Sequence, residues 1–305
     1  MLSLPAQGAD PITELPYRID YDGWITVSAM VNGKGPYDFI VDSGATITAV
    51  FANLSDTNAF TLADRPPIRV LGLVTANSLP AVNIGDIAVG NQRLAGHVGV
   101  VLPNWKNVER SPSGVIGLDF LTQYKVYIDA DKRTIRLYDR QDSAPLLPDG
   151  WSKTRMRADD FASDASTLYR ITVNMYGRRI PCIIDLGASG TIVNYRALRR
   201  LYSGVYTGQS GRKGFSTGSR LSDIFENVEI SRPVRIPIIK IANAQWRQHI
   251  VHAFDAPIFE ELGVHRKPFC LVGTDLMAEH SFIFDFTHET LYMGPKARRN
   301  AAGTG

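Results

Sequence analysis

Two short motifs place an aspartate directly after an apolar run, and these aspartates are the residues whose type and setting suggest chemistry. The motifs are Asp42-Ser43-Gly44-Ala45-Thr46, after Phe39-Ile40-Val41, and Asp185-Leu186-Gly187-Ala188-Ser189, after Cys182-Ile183-Ile184. Two carboxyl groups that meet cannot both ionise cheaply, so one keeps a proton and the pair titrates as a unit. The ionised member can take a proton from water while the protonated member polarises a carbonyl. The motifs therefore predict amide hydrolysis by Asp42 and Asp185, with no metal and no cofactor, and with the other motif residues supporting the two loops.

The motifs belong to a longer internal repeat. Val115-Ile116-Gly117-Leu118-Asp119 matches Leu271-Val272-Gly273-Thr274-Asp275, and a further pair of apolar runs closes each half of the chain. Asp42 and Gly117 are 75 positions apart (117 − 42), and Asp185 and Gly273 are 88 apart (273 − 185). A lone Asp-x-Gly occurs in many turns, because both residues favour them. Three matched elements in the same order indicate an internal duplication.

The elements that must position these residues are predicted to be strands. Runs rich in Val, Ile, Tyr and Phe alternate with Gly, Pro, Asn and Asp, which is typical of an all-β protein with a few short helices. The predicted helices are Tyr195 to Tyr202, Leu118 to Tyr124 and Thr274 to His280. We expect a first repeat at 12–140, a linker at 141–150 with Pro145 and Pro148, a second repeat at 151–296, and a flexible tail at 297–305.

With these motifs, the sequence resembles the aspartic peptidase superfamily, especially its retropepsin-like branch. The resemblance rests on Val41-Asp42-Ser43-Gly44-Ala45-Thr46 with Val115-Ile116-Gly117, and on Ile184-Asp185-Leu186-Gly187-Ala188-Ser189 with Leu271-Val272-Gly273. It implies two β-barrel lobes related by a pseudo-twofold axis, a bilobal site completed within one chain, a polypeptide substrate and a monomer.

One residue departs from the family pattern. Where Leu186 stands, the family has Thr or Ser, and the resemblance implies that this hydroxyl locks the two loops together. Ser43 keeps the group, and a buried Ser43 hydroxyl left without a partner would cost about 1–3 kcal/mol unless it pairs with backbone or water. The leading interpretation is an aspartic endopeptidase. Two alternatives stay open: a catalytically impaired protein- or peptide-binding module, and an interaction or structural protein that uses the fold as a scaffold.

Alanine follows the glycine in both motifs, at Ala45 and Ala188. The resemblance implies that pepsin-like members often have Ser or Thr there, whose hydroxyl lowers the carboxyl pKa by donating to the charged form. We therefore predict a mildly acidic to neutral pH optimum. Asp119 and Asp275 are also paired by the repeat, and we interpret them as acids in the first turn of a helix rather than as a second catalytic pair.

Two glycine-containing segments are candidates for substrate-covering flaps. The first is Leu71-Gly72-Leu73-Val74-Thr75, and the second is Lys213-Gly214-Phe215-Ser216-Thr217-Gly218. Glycine at a hairpin tip permits the opening that a substrate needs. Ordinary surface hairpins are the alternative for both.

Composition limits the other function classes. A net charge of +3 from 33 basic and 30 acidic residues gives no electrostatic case for nucleic acid. No apolar run is long enough for a membrane span, and Met1–Asp10 does not read as a signal peptide. The chain could be cytoplasmic or a mature periplasmic or secreted form, and we favour the latter. Cys182 and Cys270 are interpreted as buried small hydrophobes, with a disulfide as the alternative if their Cα atoms lie within ~7 Å. His249 and His252 are not expected to bind a metal.

Overall fold

The computed structural model describes residues 10–20, 22–55, 58–104, 111–142, 147, 149–161, 166–202, 219–222 and 228–298. The chain folds almost entirely into strands, which confirms the predicted all-β class. The strands of the first repeat are β1 (Thr13–Ile19), β2 (Ile25–Val31), β3 (Lys34–Val41), β4 (Ala49–Phe51), β5 (Thr61–Leu62), β6 (Ile68–Leu71), β7 (Ala76–Leu79), β8 (Val82–Val89), β9 (Gln92–Gly99), β10 (Val101–Leu102), β11 (Gly114–Ile116), β12 (Tyr124–Asp129) and β13 (Thr134–Asp139).

The remaining strands follow the linker. They are β14 (Ser152–Arg155), β15 (Arg157–Phe161), β16 (Ser166–Met175), β17 (Arg178–Ile184), β18 (Ile192–Val193), β19 (Ser219–Ser222), β20 (Val228–Ile241), β21 (Ala244–Ala253), β22 (Cys270–Val272), β23 (His280–Asp285) and β24 (Thr290–Lys296). The helices are short: a 3-10 turn at Ala52–Leu54, then α1 (Leu118–Leu121), α2 (Tyr195–Leu201), α3 (Pro257–Glu261) and α4 (Thr274–Met277). In the described part of the chain, none of these is both long and apolar enough to cross a bilayer.

The same strand arrangement is built twice around the two aspartate motifs. In the first repeat, β11 runs parallel to β3 and antiparallel to β4. In the second repeat, β22 runs parallel to β17 and antiparallel to β18. The apolar runs before each aspartate and the glycine-preceding runs are continuous rather than alternating, because these central strands are covered on both faces.

A shared sheet joins the two repeats. Its order is β1-β13-β12-β23-β24-β14, and β12 pairs antiparallel with β23 from Val126 opposite Phe284 to Ile128 opposite Phe282. Lys125 Nζ lies 3.2 Å from Asp285 Oδ2 in this sheet, and both side chains are almost completely buried. The sheet therefore carries a buried ion pair between the two repeats.

The two cysteines form a disulfide, so their interpretation as unpaired buried hydrophobes is wrong. The parallel register of β17 and β22 sets Cys182 directly opposite Cys270, and their Cα atoms lie 4.4 Å apart. The bond links the strand that ends at Asp185 to the strand that ends before Gly273. Sequence reasoning could not decide this pairing, because it depends on the register of two strands 88 residues apart.

The predicted helices form at the expected places but are shorter. α1 and α4 each contain four residues and end at Leu121 and Met277, because the chain enters β12 and β23 within a few residues. α2 begins after Asn194, whose side chain accepts from the Ala197 N–H. α3, which begins at Pro257, was not predicted, since five residues carry little periodic signal.

Candidate active site

The two motif aspartates lie at the ends of equivalent strands and face each other. Asp42 follows β3, and its N–H donates to the Ile116 carbonyl at 3.0 Å; Asp185 follows β17, and its N–H donates to the Val272 carbonyl at 2.9 Å. Each loop is thus fixed by the parallel strand beneath it. The structure brings together the pair that the sequence identified.

The glycine of each motif is required by the carboxyl group of the other. A Cβ atom added at Gly44 would lie 2.4 Å from Asp185 Oδ1, and one added at Gly187 would lie 2.4 Å from Asp42 Oδ2. Neither glycine has a positive φ. Close approach of the opposite carboxyl group therefore explains why a side chain cannot be accommodated at either glycine.

Backbone donors hold both carboxyl groups in place. Asp42 Oδ1 accepts from Gly44 N at 2.8 Å and from Ala45 N at 3.1 Å, and Asp185 Oδ1 accepts from Gly187 N at 3.0 Å. The loops also bind the starts of the helices that follow the second motifs: Leu118 N of α1 donates to Ala45 O, and Thr274 N of α4 donates to Ala188 O. Each aspartate is therefore held by hydrogen bonds to its own loop, and each loop is held by the helix start of its own repeat.

Burial and mutual repulsion make the pair asymmetric. Desolvation raises the pKa of Asp42, and donation from the Gly44 and Ala45 N–H groups opposes this. Desolvation and the charge of Asp42 raise the pKa of Asp185 to about 8. A hydrogen bond between the two carboxyl groups favours the ionised form of Asp42 and the protonated form of Asp185. Near neutral pH, Asp185 holds the shared proton.

Of the two hydroxyl groups that the family resemblance implies between the loops, only that of Ser43 is present, because Leu186 occupies the other position. Ser43 Oγ donates to Ile184 O at 2.8 Å and accepts from Leu186 N at 3.2 Å. Both hydrogen bonds of the Ser43 hydroxyl are therefore made to the backbone of the opposite loop. The hydroxyl is not left without a partner, although Leu186 cannot supply one from its side chain. Leu186 is fully buried in the hydrophobic core. The loop of the second repeat is anchored by apolar packing instead of a hydroxyl.

Thr46, predicted with the other motif residues to support its loop, lies half-buried in a bend, and its counterpart Ser189 is exposed. The loop is instead supported by Thr48, whose hydroxyl donates to Asp119 Oδ1 at 2.6 Å and accepts from Gly117 N. Thr191 does the same with Asp275 and Gly273. Thr48 and Thr191 each stand six positions after the motif aspartate, so the repeat contained this signal and sequence reasoning missed it.

Asp119 and Asp275 lie in the first turns of α1 and α4, as expected, and each carboxylate also faces a histidine. His249 Nε2 lies 2.8 Å from Asp275 Oδ2. His97 Nδ1 lies 3.7 Å from Asp119 Oδ2, and its Nε2 contacts Thr48 O at 2.7 Å. These acids are structural ties behind the loops. Among the described residues, no group of three His, Cys, Asp or Glu side chains is placed to hold a metal ion.

The first flap candidate is the tip of a hairpin formed by β6 and β7. Gly72 N donates to Thr75 O at 2.7 Å across the turn. Ile68, Val70 and Leu79 of this hairpin pack, with Ala45, against an apolar cluster. The cluster is separate from the main core and consists of Trp24, Ile40, Ala49, Phe51, Val100, Leu102 and Val115. An ion pair of 2.6 Å between Arg69 and Glu261 connects the hairpin to α3. The second candidate, with Gly214, Phe215 and Ser216, lies outside the described residues.

Comparisons with known proteins agree with this geometry. A family model described as aspartyl protease matches residues 27–120, which include Asp42 and Gly117. The crystal structure of basic 7S globulin from soybean matches with a TM-score of 0.52 over 92% of this chain and 94% of that chain, at 10% sequence identity. That protein is named as a globulin, and at this identity the likeness shows the fold alone. No curated protein matches the sequence. The family match over residues 27–120 and the shared fold support an aspartic-peptidase-like protein.

Proposed function

We propose that the chain is an aspartic endopeptidase whose two repeats form two lobes with one catalytic pair between them. The observation that carries the proposal is the contact of the Asp42 and Asp185 carboxyl groups, each of which occupies the space that a side chain on the opposite glycine would fill. This contact requires both motifs, and a decayed enzyme would have no reason to keep it. The resemblance of both motifs to the family supports the same roles.

The protonation states of the pair support a division of labour. Ionised Asp42 takes a proton from water as the water oxygen attacks the scissile carbonyl carbon, while Asp185 gives its proton to the carbonyl oxygen. The resulting gem-diol is neutral. Asp42 then passes its proton to the amide nitrogen as the C–N bond breaks, and Asp185 recovers a proton from one hydroxyl of the gem-diol. The products are a carboxylic acid and an amine, and the pair returns to its starting state.

The surroundings of the pair support an extended polypeptide as substrate. The β6–β7 hairpin carries an apolar side that packs with Ala45 of the first loop, and extended peptides commonly bind by adding a strand to such an edge. We propose that apolar residues flank the cleaved bond. We also propose a monomer, since one chain contains both aspartates, and a periplasmic or secreted location, since disulfides such as Cys182–Cys270 persist in oxidising compartments.

The test is incubation of the folded wild-type protein with a diverse peptide library between pH 3 and 8. Parallel reactions contain a metal chelator or covalent reagents for serine and cysteine nucleophiles. We expect internal cleavage that none of these agents reduces, because the proposed steps use neither a metal nor a covalent intermediate. Absence of cleavage at every pH would overturn the proposal, and inhibition by a chelator or a covalent reagent would reassign the chemistry.

A peptide-binding module is the second candidate, and Leu186 is the observation that favours it. With one hydroxyl of the loop link replaced by a leucine, the pair could hold a peptide without the rigidity that hydrolysis needs. Binding of library peptides without cleavage by wild type, followed by cleavage after Leu186→Thr, would support this second function.

The pH dependence of the peptidase follows from the pKa of each carboxyl group. Activity requires Asp42 ionised and Asp185 protonated, so kcat/KM rises as Asp42 loses its proton and falls as pH passes the Asp185 pKa of about 8. We expect a bell-shaped profile with a mildly acidic to neutral maximum. Initial rates on one cleaved peptide from pH 3 to 9 measure it. A maximum below about pH 3, under the reference aspartate pKa of ~3.9, would contradict the expectation.

A further inference from the structure

A buried tryptophan of the first repeat donates a hydrogen bond to the catalytic loop of the second. Trp24 is 5% exposed, and its indole Nε1 lies 2.8 Å from Gly187 O, 163 residues away in sequence. Gly187 is the residue whose N–H donates to Asp185 Oδ1 and whose missing side chain makes room for Asp42 Oδ2. Any displacement of Gly187 would therefore move both carboxyl groups relative to each other.

Trp24 is itself held from two sides. The backbone N–H of Trp24 donates to Asp20 Oδ1 at 2.8 Å, and the backbone N–H of Gly23 donates to the Asp20 carbonyl. Its side chain belongs to the apolar cluster that also contains Ile40. A side chain fixed in this way offers its N–H at a defined position, which a mobile surface residue would not do.

The internal repeat identifies the residue of the second repeat that is equivalent to Trp24, and that could in principle donate to the loop of the first repeat. Val27 pairs with Phe39, three residues before Asp42, and Ile171 pairs with Cys182, three residues before Asp185. Trp24 stands three residues before Val27, and Leu168 stands three residues before Ile171. Leu168 is also buried but has no hydrogen-bond donor in its side chain.

The same substitution of leucine for a donor occurs in the loops, where Ser43 matches Leu186. Within the described residues, and apart from the bond between the two carboxyl groups, the side-chain donors recorded between the two loop regions are Ser43 and Trp24, and both belong to the first repeat. Their acceptors are Ile184 O and Gly187 O, one on each side of Asp185. Side chains of the first repeat therefore bind the Asp185 loop before and after Asp185, while the equivalent residues of the second repeat, Leu186 and Leu168, supply apolar packing.

We propose that Trp24 is a positioning residue that replaces the cross-loop hydroxyl absent at Leu186 and holds the Asp185 loop in register with Asp42. The proposal rests on the proposed peptidase function, because it explains how a pair with one missing hydroxyl stays aligned. Trp24 does not touch the reacting atoms in this scheme; it acts through Gly187.

The test compares Trp24→Phe with a matched control, Trp246→Phe. Trp246 is also buried, but its Nε1 has no hydrogen-bond partner in the described part of the chain, so the control removes an indole without removing a bond. A second variant carries β-(3-benzothienyl)alanine at position 24, which keeps the ring shape and removes only the N–H. This variant keeps the test valid if Trp24→Phe fails to fold.

Two readouts are taken on each protein. The first is kcat and KM on a cleaved peptide, and we expect kcat to fall about 10- to 100-fold with a smaller change in KM for both position-24 variants, because misplacement of a catalytic group acts on the chemical step. The second is the titration of the Asp42 and Asp185 carboxyl carbons by NMR, which needs no activity. Both position-24 variants should shift this titration, and Trp246→Phe should not.

Rescue gives the sharpest outcome. Adding Leu186→Thr to Trp24→Phe returns a donor to the opposite loop, and we expect it to recover most of the lost kcat while the same substitution gives little gain in the wild type. If the position-24 variants match Trp246→Phe in kcat and in titration, the proposal is overturned. If wild type cleaves nothing but its titration still depends on the Trp24 N–H, the peptidase proposal fails while the positioning inference stands.

Discussion

Replacing either Asp42 or Asp185 by asparagine is expected to lower kcat for peptide hydrolysis by about 10²- to 10⁴-fold, the range for loss of a general acid or base. Asparagine fills the same space but can neither take the proton from water nor transfer a proton to the carbonyl oxygen. Each aspartate acts in both halves of the reaction, so the loss should be near the upper end of the range. The measurement is kcat on a peptide selected from the library, at the pH of maximal activity.

The control for these variants is Asp64→Asn, which changes an exposed aspartate in the bend before β6. It should keep wild-type kcat. Both variants should fold, because asparagine keeps the size of aspartate and its side-chain oxygen can still accept from the N–H groups that hold Asp42 and Asp185. Retention of more than a tenth of wild-type kcat in either folded variant would show that a single carboxyl group suffices and that the pair is not the machinery.

Lys125→Met is expected to lower the free energy of unfolding by about 3–5 kcal/mol, the usual cost of removing one partner from a buried ion pair. Lys125 and Asp285 lie 3.2 Å apart, with 0% and 2% of their side chains exposed. Without the ammonium group, Asp285 is left as a buried carboxylate in the sheet that joins the repeats. Urea unfolding followed by circular dichroism measures the loss.

A double variant separates the charge from the packing. In Lys125→Met/Asp285→Asn the buried charge is gone, and the asparagine oxygen can still accept from the His288 N–H that Asp285 binds at 3.1 Å. We expect it to recover more than half of the loss. The exposed Lys132→Met is the surface control and should change stability by less than about 0.5 kcal/mol. A loss below about 1 kcal/mol for Lys125→Met would mean that water or rearrangement compensates Asp285.

The fold class and the facing carboxyl groups could be predicted from the sequence, because both depend on local patterns that occur twice. An apolar run that ends in Asp-x-Gly predicts a strand and a turn without knowledge of the rest of the chain. A second copy at a similar spacing then predicts that the two turns are equivalent. Thr48 and Thr191 stand six positions after the two aspartates, so they could have been predicted by the same reasoning.

Features that break the repeat could not be found in this way. Trp24 has no matching tryptophan in the second repeat, and its acceptor is a backbone carbonyl, which leaves no trace in the sequence. The Cys182–Cys270 bond depends on the parallel register of β17 and β22. Lys125 reads as a surface residue at the start of a strand, and its burial beside Asp285 of β23 depends on the three-dimensional fold. Each of these three contacts joins residues that are far apart in sequence, and no local sequence pattern indicates which residue the partner is.

The side-chain hydrogen bonds of Ser43 and Trp24 hold the Asp185 loop from the first repeat, and they make the site around the two aspartates asymmetric. A site made from two identical subunits is symmetric, so a peptide can enter in either of two orientations and meet the same groups. In this chain, Ser43 and Trp24 act from one side only, and the shared proton stays with Asp185. A peptide chain also has a direction, from its amino to its carboxyl end. The two orientations of a bound peptide would therefore meet different groups. If the proposed peptidase function holds, a cleaved peptide and the peptide of reversed sequence should be cut at different rates.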